Sequence, residues 1–172
     1  MSYPEELYRG PTGEVSATYR PADHEAELMI GSAVALGYLA TGASTAGRFG
    51  LYRWDAGPRS GGAAPHFHRT MSESFFVVSG RVELYDGEEW VDAGPGDYVY
   101  VPEGGVHGFR NQSEEPASML ILFAPGAPRE GYFEAIAERA AGRPYSDEEW
   151  TALCERHDNY FVEEPSPRCR RP

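Results

Sequence analysis

Three of the five histidines in the chain, together with one glutamate, are the residues with the clearest chemical potential. His66 and His68 lie two residues apart, so on a β-strand both imidazoles would point to the same face. Glu73 follows after a short connection, and His107 comes from a segment much further along the chain. Three imidazoles and one carboxylate suit divalent manganese, iron, cobalt, nickel, copper or zinc better than magnesium or calcium. We therefore predict that these four residues bind one divalent transition-metal ion.

The composition of the 172-residue chain excludes several other kinds of site and partner. All 15 basic residues are arginine, so there is no lysine for a Schiff base, a pyridoxal phosphate linkage or a phosphate-binding loop. The formal net charge of −12 would repel phosphate backbones and acidic membranes, so we expect neither nucleic acid nor a membrane as a partner.

Cys154 and Cys169 lack zinc-site spacing and are too few for a disulfide framework. No segment resembles a signal peptide or a membrane span, and we expect a cytoplasmic protein.

The elements that must position the four residues are predicted to be short strands. The 20 glycines and 14 prolines lie between apolar runs, as expected for many strands joined by turns. Between residues 66 and 124, strand-like runs alternate with turn signals. One of these signals, Gly80-Arg81, predicts a tight hairpin between residues 75–79 and 82–85. Strands at this spacing indicate a barrel or a sandwich.

The two ends of the chain are predicted to differ from this β-rich part. Residues 1–27 are polar and contain three prolines, which indicates an irregular N-terminal arm. The barrel is predicted to span residues 28–128. Helical spacing of apolar residues after Pro128, and a capping-box pattern at 146–149, predict two helices within 129–162 that pack on the barrel. Residues 163–172 are predicted to form a flexible tail.

Residues 61–111 resemble both signature motifs of the cupin superfamily. The first motif consists of a glycine, a His-x-His pair, four residues, a glutamate, six residues and a glycine. In this chain it comprises Gly61 or Gly62, then His66, His68, Glu73 and Gly80. The leading glycine stands one residue nearer His66 than is usual in the family.

The second motif matches without a departure. It comprises Gly96, Pro102, Gly104, His107 and Asn111. Glycine and proline supply the sharp turns that bring separate strands together at the mouth of a barrel. The resemblance implies an all-β fold, the cupin double-stranded β-helix or jelly-roll barrel, with an N-terminal arm and two C-terminal α-helices. It also implies that the three histidines and Glu73 are the metal ligands.

Within the superfamily, the chain resembles single-domain flavonol dioxygenases of the quercetin 2,3-dioxygenase type and small cupins of aromatic polyketide pathways. The similar segments are residues 38–42, 124–126 and 132–135. The resemblance implies a metal-dependent dioxygenase that uses O₂ and acts on a flavonol-like or other enolizable aromatic compound. Glu73 is then the catalytic residue, because it could be a metal ligand and also the base that deprotonates a substrate hydroxyl. A cupin cyclase, isomerase or lyase and a non-enzymatic binding cupin remain as alternatives.

Aromatic residues around the motifs are candidates for lining a pocket for a flat organic ligand. They are Tyr38, Phe49, Tyr52, Phe75, Phe109 and Phe123. Most aromatic side chains of a barrel fill its core, so we expect a minority of the six to contact a ligand. Arg53 and Arg69 are candidates for binding an anionic group. The two C-terminal helices could form a dimer contact, and a homodimer is expected.

Overall fold

The computed structural model describes residues 3–163, which form two β-sheets followed by two helices and a last short strand. The strands are β1 Leu28–Ile30, β2 Val34–Ala40, β3 Gly50–Ala56, β4 Gly61–Phe67, β5 Ser72–Ser79, β6 Val82–Tyr85, β7 Trp90–Ala93, β8 Tyr98–Val101, β9 His107–Asn111, β10 Ala117–Ala124 and β11 Tyr160–Phe161; the helices are α1 Glu130–Ala140 and α2 Asp147–Arg156. One sheet has the order β1-β2-β3-β10-β5-β8, and the other has the order β11-β4-β9-β6-β7. This architecture confirms the predicted all-β cupin jelly roll with two C-terminal helices.

The two sheets enclose the core because buried and exposed side chains alternate along the strands. In β3, Tyr52 and Trp54 are buried, whereas their neighbours along the strand are partly exposed. Strand β10 lies between β3 and β5 and contributes Met119, Ile121 and Phe123 to the core. The two-residue period of a strand places all of these side chains on the inner face of the six-stranded sheet.

The predicted hairpin around Gly80-Arg81 is wrong, although a turn is present there. Strand β5 pairs with β10 and β8, whereas β6 pairs with β7 and β9 in the other sheet. Both edges of β5 are therefore occupied, and the turn carries the chain from one sheet to the other. Gly80 allows this crossing because its φ is 74° and a Cβ there would lie 2.3 Å from the Pro116 carbonyl oxygen.

The described part of the N-terminal arm lies outside the two sheets. Residues 3–27 contain no helix or strand, but they are fixed to the barrel at Glu27. Its carboxylate accepts hydrogen bonds from the Arg20 guanidinium and the Tyr38 backbone, each at 2.6 Å. The predicted tail lies outside the described residues except for Glu163, and so does Cys169. No helix between residues 3 and 163 combines the length and the apolar character needed to cross a membrane.

The C-terminal segment folds back onto the barrel and adds a strand that the sequence did not indicate. The predicted capping box is present at the start of α2, where the side chains of Ser146 and Glu149 each accept a hydrogen bond from the other's backbone nitrogen. After α2, β11 pairs with β4, and Phe161 lies opposite His66. A two-residue strand is too short to show a periodic pattern. Its pairing brings the end of the described chain next to a predicted metal ligand.

Asn111, the last residue of the second motif, fixes the loop between β9 and β10 to the barrel. The side chain is fully buried, and its Nδ2 donates to the carbonyl oxygens of Gly57 and Glu115. Its Oδ1 accepts from the backbone nitrogen and the hydroxyl of Ser113. All four hydrogen-bonding positions of the amide are therefore used.

We predict that Asn111→Ala lowers the free energy of unfolding by about 1–3 kcal/mol, because it leaves several loop groups without their buried partner. Urea denaturation followed by circular dichroism measures the change. Gln112→Ala is the control, because Gln112 is the exposed neighbour in the chain and its loss should cost less than about 0.5 kcal/mol. Equal destabilisation by the two substitutions would contradict the role assigned to Asn111.

Candidate metal centre

The four predicted ligands come from both sheets and meet inside the barrel. His66 on β4 and His107 on β9 are paired in register across adjacent strands. His68 follows β4 directly, and Glu73 reaches the cluster from β5 in the opposite sheet. Each of the four residues is only 1–3% exposed. One potential ligand atom from each lies within 4.8 Å of the others, so the fold assembles the cluster that the motifs predict.

A backbone carbonyl oxygen holds the Nδ1 atom of each histidine. The distances are 2.8 Å from His66 to Ala64, 2.5 Å from His68 to Asp158 and 2.9 Å from His107 to Gly105. A carbonyl oxygen only accepts hydrogen bonds, so Nδ1 of each ring carries the proton and donates it. This arrangement fixes the three rings and leaves Nε2 as the nitrogen available to a metal.

Glu73 is the centre of the cluster. Its Oε2 atom lies 2.9 Å from His68 Nε2 and 2.7 Å from His107 Nε2. Burial raises the pKa of Glu73, but the two imidazoles outweigh burial and bring the pKa well below its usual range. Burial lowers the pKa of His107, but the Glu73 carboxylate outweighs this effect and raises it. Burial, assisted by His107, lowers the pKa of His66 to about 3, so this ring is neutral.

This arrangement fits a bound cation. Because Nδ1 of each ring already carries a proton, the Nε2 atoms of His68 and His107 point lone pairs at the Glu73 carboxylate. This contact is unfavourable unless a second proton or a cation lies between the groups. A divalent metal ion satisfies these three groups and the neutral His66 together. Three nitrogen donors and one oxygen donor are the set that transition metals prefer. The cluster therefore fits a cupin metal site.

Asp158 positions the His68 side of the cluster, although no sequence motif indicates this residue. Its carbonyl oxygen accepts from His68, and its carboxylate accepts from the backbone nitrogens of Arg69 and Thr70 at 2.9 and 2.8 Å and from the Thr70 hydroxyl at 2.6 Å. Burial raises the pKa of this carboxyl, but these hydrogen bonds outweigh burial and lower it. Asp158 is 90 residues from His68 along the chain, so no local spacing could indicate the contact.

A cavity of about 310 Å³ lies beside the cluster. His66 and Glu73 form part of its wall, together with apolar side chains from the barrel and from α1, among them Trp54, Ile121 and Phe133. Two of the ligands thus face the space in which a small molecule would bind, and most of the remaining wall is apolar.

Of the six aromatic residues predicted to line a pocket, the structure places Phe109 and Phe123 in this wall. The other four, which are Tyr38, Phe49, Tyr52 and Phe75, do not line this cavity.

These four residues have other positions in the fold. Phe49 is 37% exposed, just before β3. Phe75 is buried against His107, with ring centroids 5.8 Å apart. The rings of Tyr38 and Tyr52 pack on Phe133 of α1, at 6.4 and 5.0 Å between centroids. The two tyrosines thus hold α1 against the barrel, which sequence periodicity along single strands does not show.

Two fully buried polar residues that no sequence motif indicates line the same cavity. Arg129 directly precedes α1 and is 2% exposed, and Asn159 directly precedes β11 and is 1% exposed. The predicted anion-binding residues, Arg53 and Arg69, do not line it. A cation at the N-terminus of a helix is unfavourable because the positive end of the helix dipole lies there. An arginine directly before a predicted helix is therefore unusual, and this is the sequence signal that could have identified Arg129.

Comparisons with known proteins agree with the cupin fold described above. Residues 52–123 match the cupin domain family. An uncharacterized protein of Streptomyces coelicolor, SCO3923, is 40% identical over 76 residues, which are 44% of this chain and 68% of that protein. Quercetin 2,3-dioxygenase of Bacillus subtilis is 31% identical over 90 residues, which are 52% of this chain but only 24% of the enzyme. The solved structure of the polyketide cyclase RemF of Streptomyces resistomycificus has a TM-score of 0.53 and 24% identity, covering 63% of this chain and 79% of that chain.

We predict that metal binding releases protons and strengthens as the pH rises. The raised pKa of His107 means that this ring, beside Glu73, keeps its second proton to a higher pH than a free imidazole, and the metal must displace that proton. Each proton displaced makes the apparent affinity rise by about tenfold per pH unit below the raised pKa, and the effect ends above it. Calorimetric titration with zinc between about pH 6 and about pH 8, in buffers of different ionisation enthalpy, measures both quantities. An affinity that is constant over this range would contradict the prediction; His24→Ala, at an exposed histidine, should leave the profile unchanged.

We predict that Asp158→Asn weakens metal binding by about 10- to 100-fold, because the carboxylate that fixes the 68–70 turn is lost. Asparagine tolerates the positive φ of 57° at this position, so backbone strain does not complicate the result. Competition with a chromophoric zinc chelator measures the affinity. Asp86→Asn is the matched control, because Asp86 also accepts two backbone hydrogen bonds in a turn, but in the hairpin between β6 and β7. Similar losses in the two variants would show that Asp158 has no particular role in the centre.

Proposed function

This chain belongs to the cupin superfamily, and on this basis we propose that it is a metal-dependent dioxygenase that acts with O₂ on a flavonol-like or other enolizable aromatic compound. The observation that carries the proposal is the buried cluster of three histidines and one glutamate at the wall of an aromatic cavity. The similarity to the Bacillus quercetin 2,3-dioxygenase supports the reaction type. Because the match spans about a quarter of that enzyme, the choice of substrate rests on the cavity itself.

His66, His68, Glu73 and His107 would hold the metal ion. A redox-active divalent ion bound there supplies the activation of O₂, whereas zinc supplies only Lewis acidity. The Nδ1 hydrogen bonds of the histidines keep the rings in place during the reaction, since they involve backbone groups that do not move with the substrate.

Glu73 has a second role in the proposed reaction, as the base that removes the proton from the substrate hydroxyl. In the metal-free cluster its hydrogen bonds to the two histidines stabilise the carboxylate and make it a weak base. To act as the base, Glu73 must give up both these hydrogen bonds and its place as a ligand; its pKa then rises towards the usual range and proton removal becomes more favourable. Both atoms of O₂ enter the product. Glu73 then gives its proton to the product, which regenerates the carboxylate.

The cavity contributes orientation and the exclusion of water. Trp54 and Phe109 contact each other edge to face at 5.2 Å, and Phe123 lies in the same wall. These rings present flat apolar surfaces that suit an aromatic substrate. Holding its hydroxyl next to Glu73 replaces an encounter in solution by a fixed geometry, which accounts for much of the rate gain in many enzymes.

A cupin enzyme that works without O₂, such as a cyclase, isomerase or lyase, is the second candidate. The structural similarity to the polyketide cyclase RemF favours it, since proton removal by Glu73 would also enolize a polyketide. A binding protein without turnover is the third candidate. The homodimer and the cytoplasmic location stay predictions.

We predict that the iron-, nickel-, cobalt- or manganese-loaded protein consumes O₂ with at least one flavonol, and that Glu73→Gln lowers kcat by about 100-fold or more. Glutamine keeps the shape of the side chain but cannot take up the proton. An oxygen electrode measures the rate, and metal analysis of the same sample separates loss of the base from loss of metal. Glu134→Gln is the control, because Glu134 is exposed on α1.

The outcomes separate the candidates. Turnover of an aromatic substrate under argon would overturn the dioxygenase in favour of the second candidate. No O₂ uptake with any flavonol or related enol, by protein shown to contain metal, would overturn the proposed reaction. Full activity of Glu73→Gln would overturn the role of Glu73 as the base.

A further inference from the structure

Buried polar atoms without a partner are concentrated around the cavity. Within residues 3–163, four side chains contain such atoms: Ser60, Ser118, Arg129 and Asn159. Three of the four, all except Ser118, line the cavity beside the metal centre. Leaving a buried polar group unpaired costs roughly 1–3 kcal/mol. Several such groups at one cavity indicate that a bound ligand supplies their hydrogen-bond partners.

Arg129 is the most unusual of these residues. Its guanidinium lies among aromatic rings, with Cζ 4.4 Å from the ring centroid of Tyr132 and 4.9 Å from that of Phe123. Nη1 donates to the His157 carbonyl oxygen at 2.5 Å, but Nε is buried without an acceptor. Among the described residues, no carboxylate forms an ion pair with this side chain. Buried charges in proteins are normally paired, so an anion is the group that Arg129 lacks.

Asn159 lies at the opposite end of the helical region from Arg129, between α2 and β11. Its backbone nitrogen donates to the Cys154 carbonyl oxygen at 2.9 Å, which fixes the main chain, while both polar atoms of its side chain are buried without a partner. An amide offers one acceptor and one donor group. It can therefore bind a hydroxyl and a neighbouring oxygen of one ligand at the same time.

The charges around the cavity favour a negative ligand. With a divalent ion bound, the single carboxylate of Glu73 leaves the centre with a net positive charge, and the buried Arg129 guanidinium adds another in a mostly apolar wall. In such a site an anionic oxygen is attracted more strongly than in solution. A neutral aromatic compound would fill the apolar wall but leave the guanidinium unpaired.

We infer that Arg129 and Asn159, the polar pair, bind an anionic oxygen and an adjacent hydroxyl of the ligand whose aromatic body fills the cavity. The ligand class is thus a hydroxylated aromatic anion, such as a hydroxy-aromatic carboxylate or an acidic enol. This inference deepens the proposed function, since it concerns the same cavity, but it concerns recognition and does not depend on O₂ chemistry. Charge-assisted hydrogen bonds to the guanidinium give the recognition its strength.

Binding to the zinc-loaded protein tests the inference without any turnover. Trp54 and Trp150 line the cavity, so quenching of tryptophan fluorescence reports occupancy directly. The probes are 1-hydroxy-2-naphthoate and its uncharged analogue of the same shape, 1-hydroxy-2-naphthamide. The wild-type protein should bind the anion about tenfold or more tightly than the amide.

Substitutions of Arg129 test the origin of this preference. Arg129→Met should reduce the preference for the anion to less than about threefold, and Arg129→Lys should restore part of it, because the charge returns without the planar donor geometry. Arg139→Met is the matched control: Arg139 also lines the cavity and lies over an aromatic ring, that of Trp150, at 4.2 Å, but it is exposed. The control should keep the preference, which separates a contact of Arg129 from a general loss of positive charge.

Asn159→Leu separates recognition from folding. Leucine has a similar shape and removes two unpaired polar atoms, so the melting temperature of the free protein should stay the same or rise. The affinity for 1-hydroxy-2-naphthoate should fall by about tenfold. A lower melting temperature with unchanged affinity would show that Asn159 is structural and would overturn its role.

The remaining outcomes are equally decisive. Equal affinity of the wild-type protein for the two probes, or an unchanged preference in Arg129→Met, would overturn the inference. If the preference behaves as expected but no flavonol supports O₂ uptake, recognition by the polar pair stands and the proposed dioxygenase fails. If O₂ uptake is found but the preference is absent, the proposed dioxygenase stands and recognition by the polar pair fails.

Discussion

The hydrogen bonds between three histidine Nδ1 atoms and three backbone carbonyls are the constraint on which the centre depends. They commit each ring to one tautomer and turn each Nε2 towards the others and towards Glu73. In a buried space this places lone pairs and a carboxylate together, an arrangement that is stable only with shared protons or a cation. The pKa of Glu73 is lowered and that of His107 is raised because, without a metal ion, a proton on the imidazole balances the carboxylate. The fit of the cluster to a metal ion is thus a consequence of how the main chain holds the rings.

The topology satisfies this constraint by drawing on distant parts of the chain. Strands β4 and β9 pair so that His66 lies opposite His107, while β5 delivers Glu73 from the other sheet. The carbonyl that holds His68 comes from Asp158, in the segment between α2 and β11. The C-terminal helices are therefore more than a cover on the barrel. They return the chain to the centre, and the pairing of β11 with β4 fixes that return.

The same segment gives the cavity its chemical character. The barrel contributes most of the apolar wall, whereas Arg129 and Asn159 come from the start and the end of the helical region. Arg129 Nη1 donates to the carbonyl of His157, so the two ends of this region are joined by one hydrogen bond beside the cavity. The barrel thus positions the candidate metal ligands, and the segments beside the helices position the groups that we propose for ligand recognition. This division is consistent with the general independence of fold and function.

The sequence alone is enough to predict the features that depend on local spacing. Two motifs named His66, His68, Glu73 and His107, and strand periodicity with turn signals indicated the all-β fold and two terminal helices. It could not decide which strands pair, because the Gly80-Arg81 turn has the same local signal whether it closes a hairpin or crosses between sheets. Nor could it show that Tyr38 and Tyr52 support α1 while Phe109 and Phe123 face the cavity, since all four are aromatic residues on strands. Asp158, Arg129 and Asn159 reach the centre only through contacts between segments far apart in the chain, and such contacts exist only once the tertiary structure has formed.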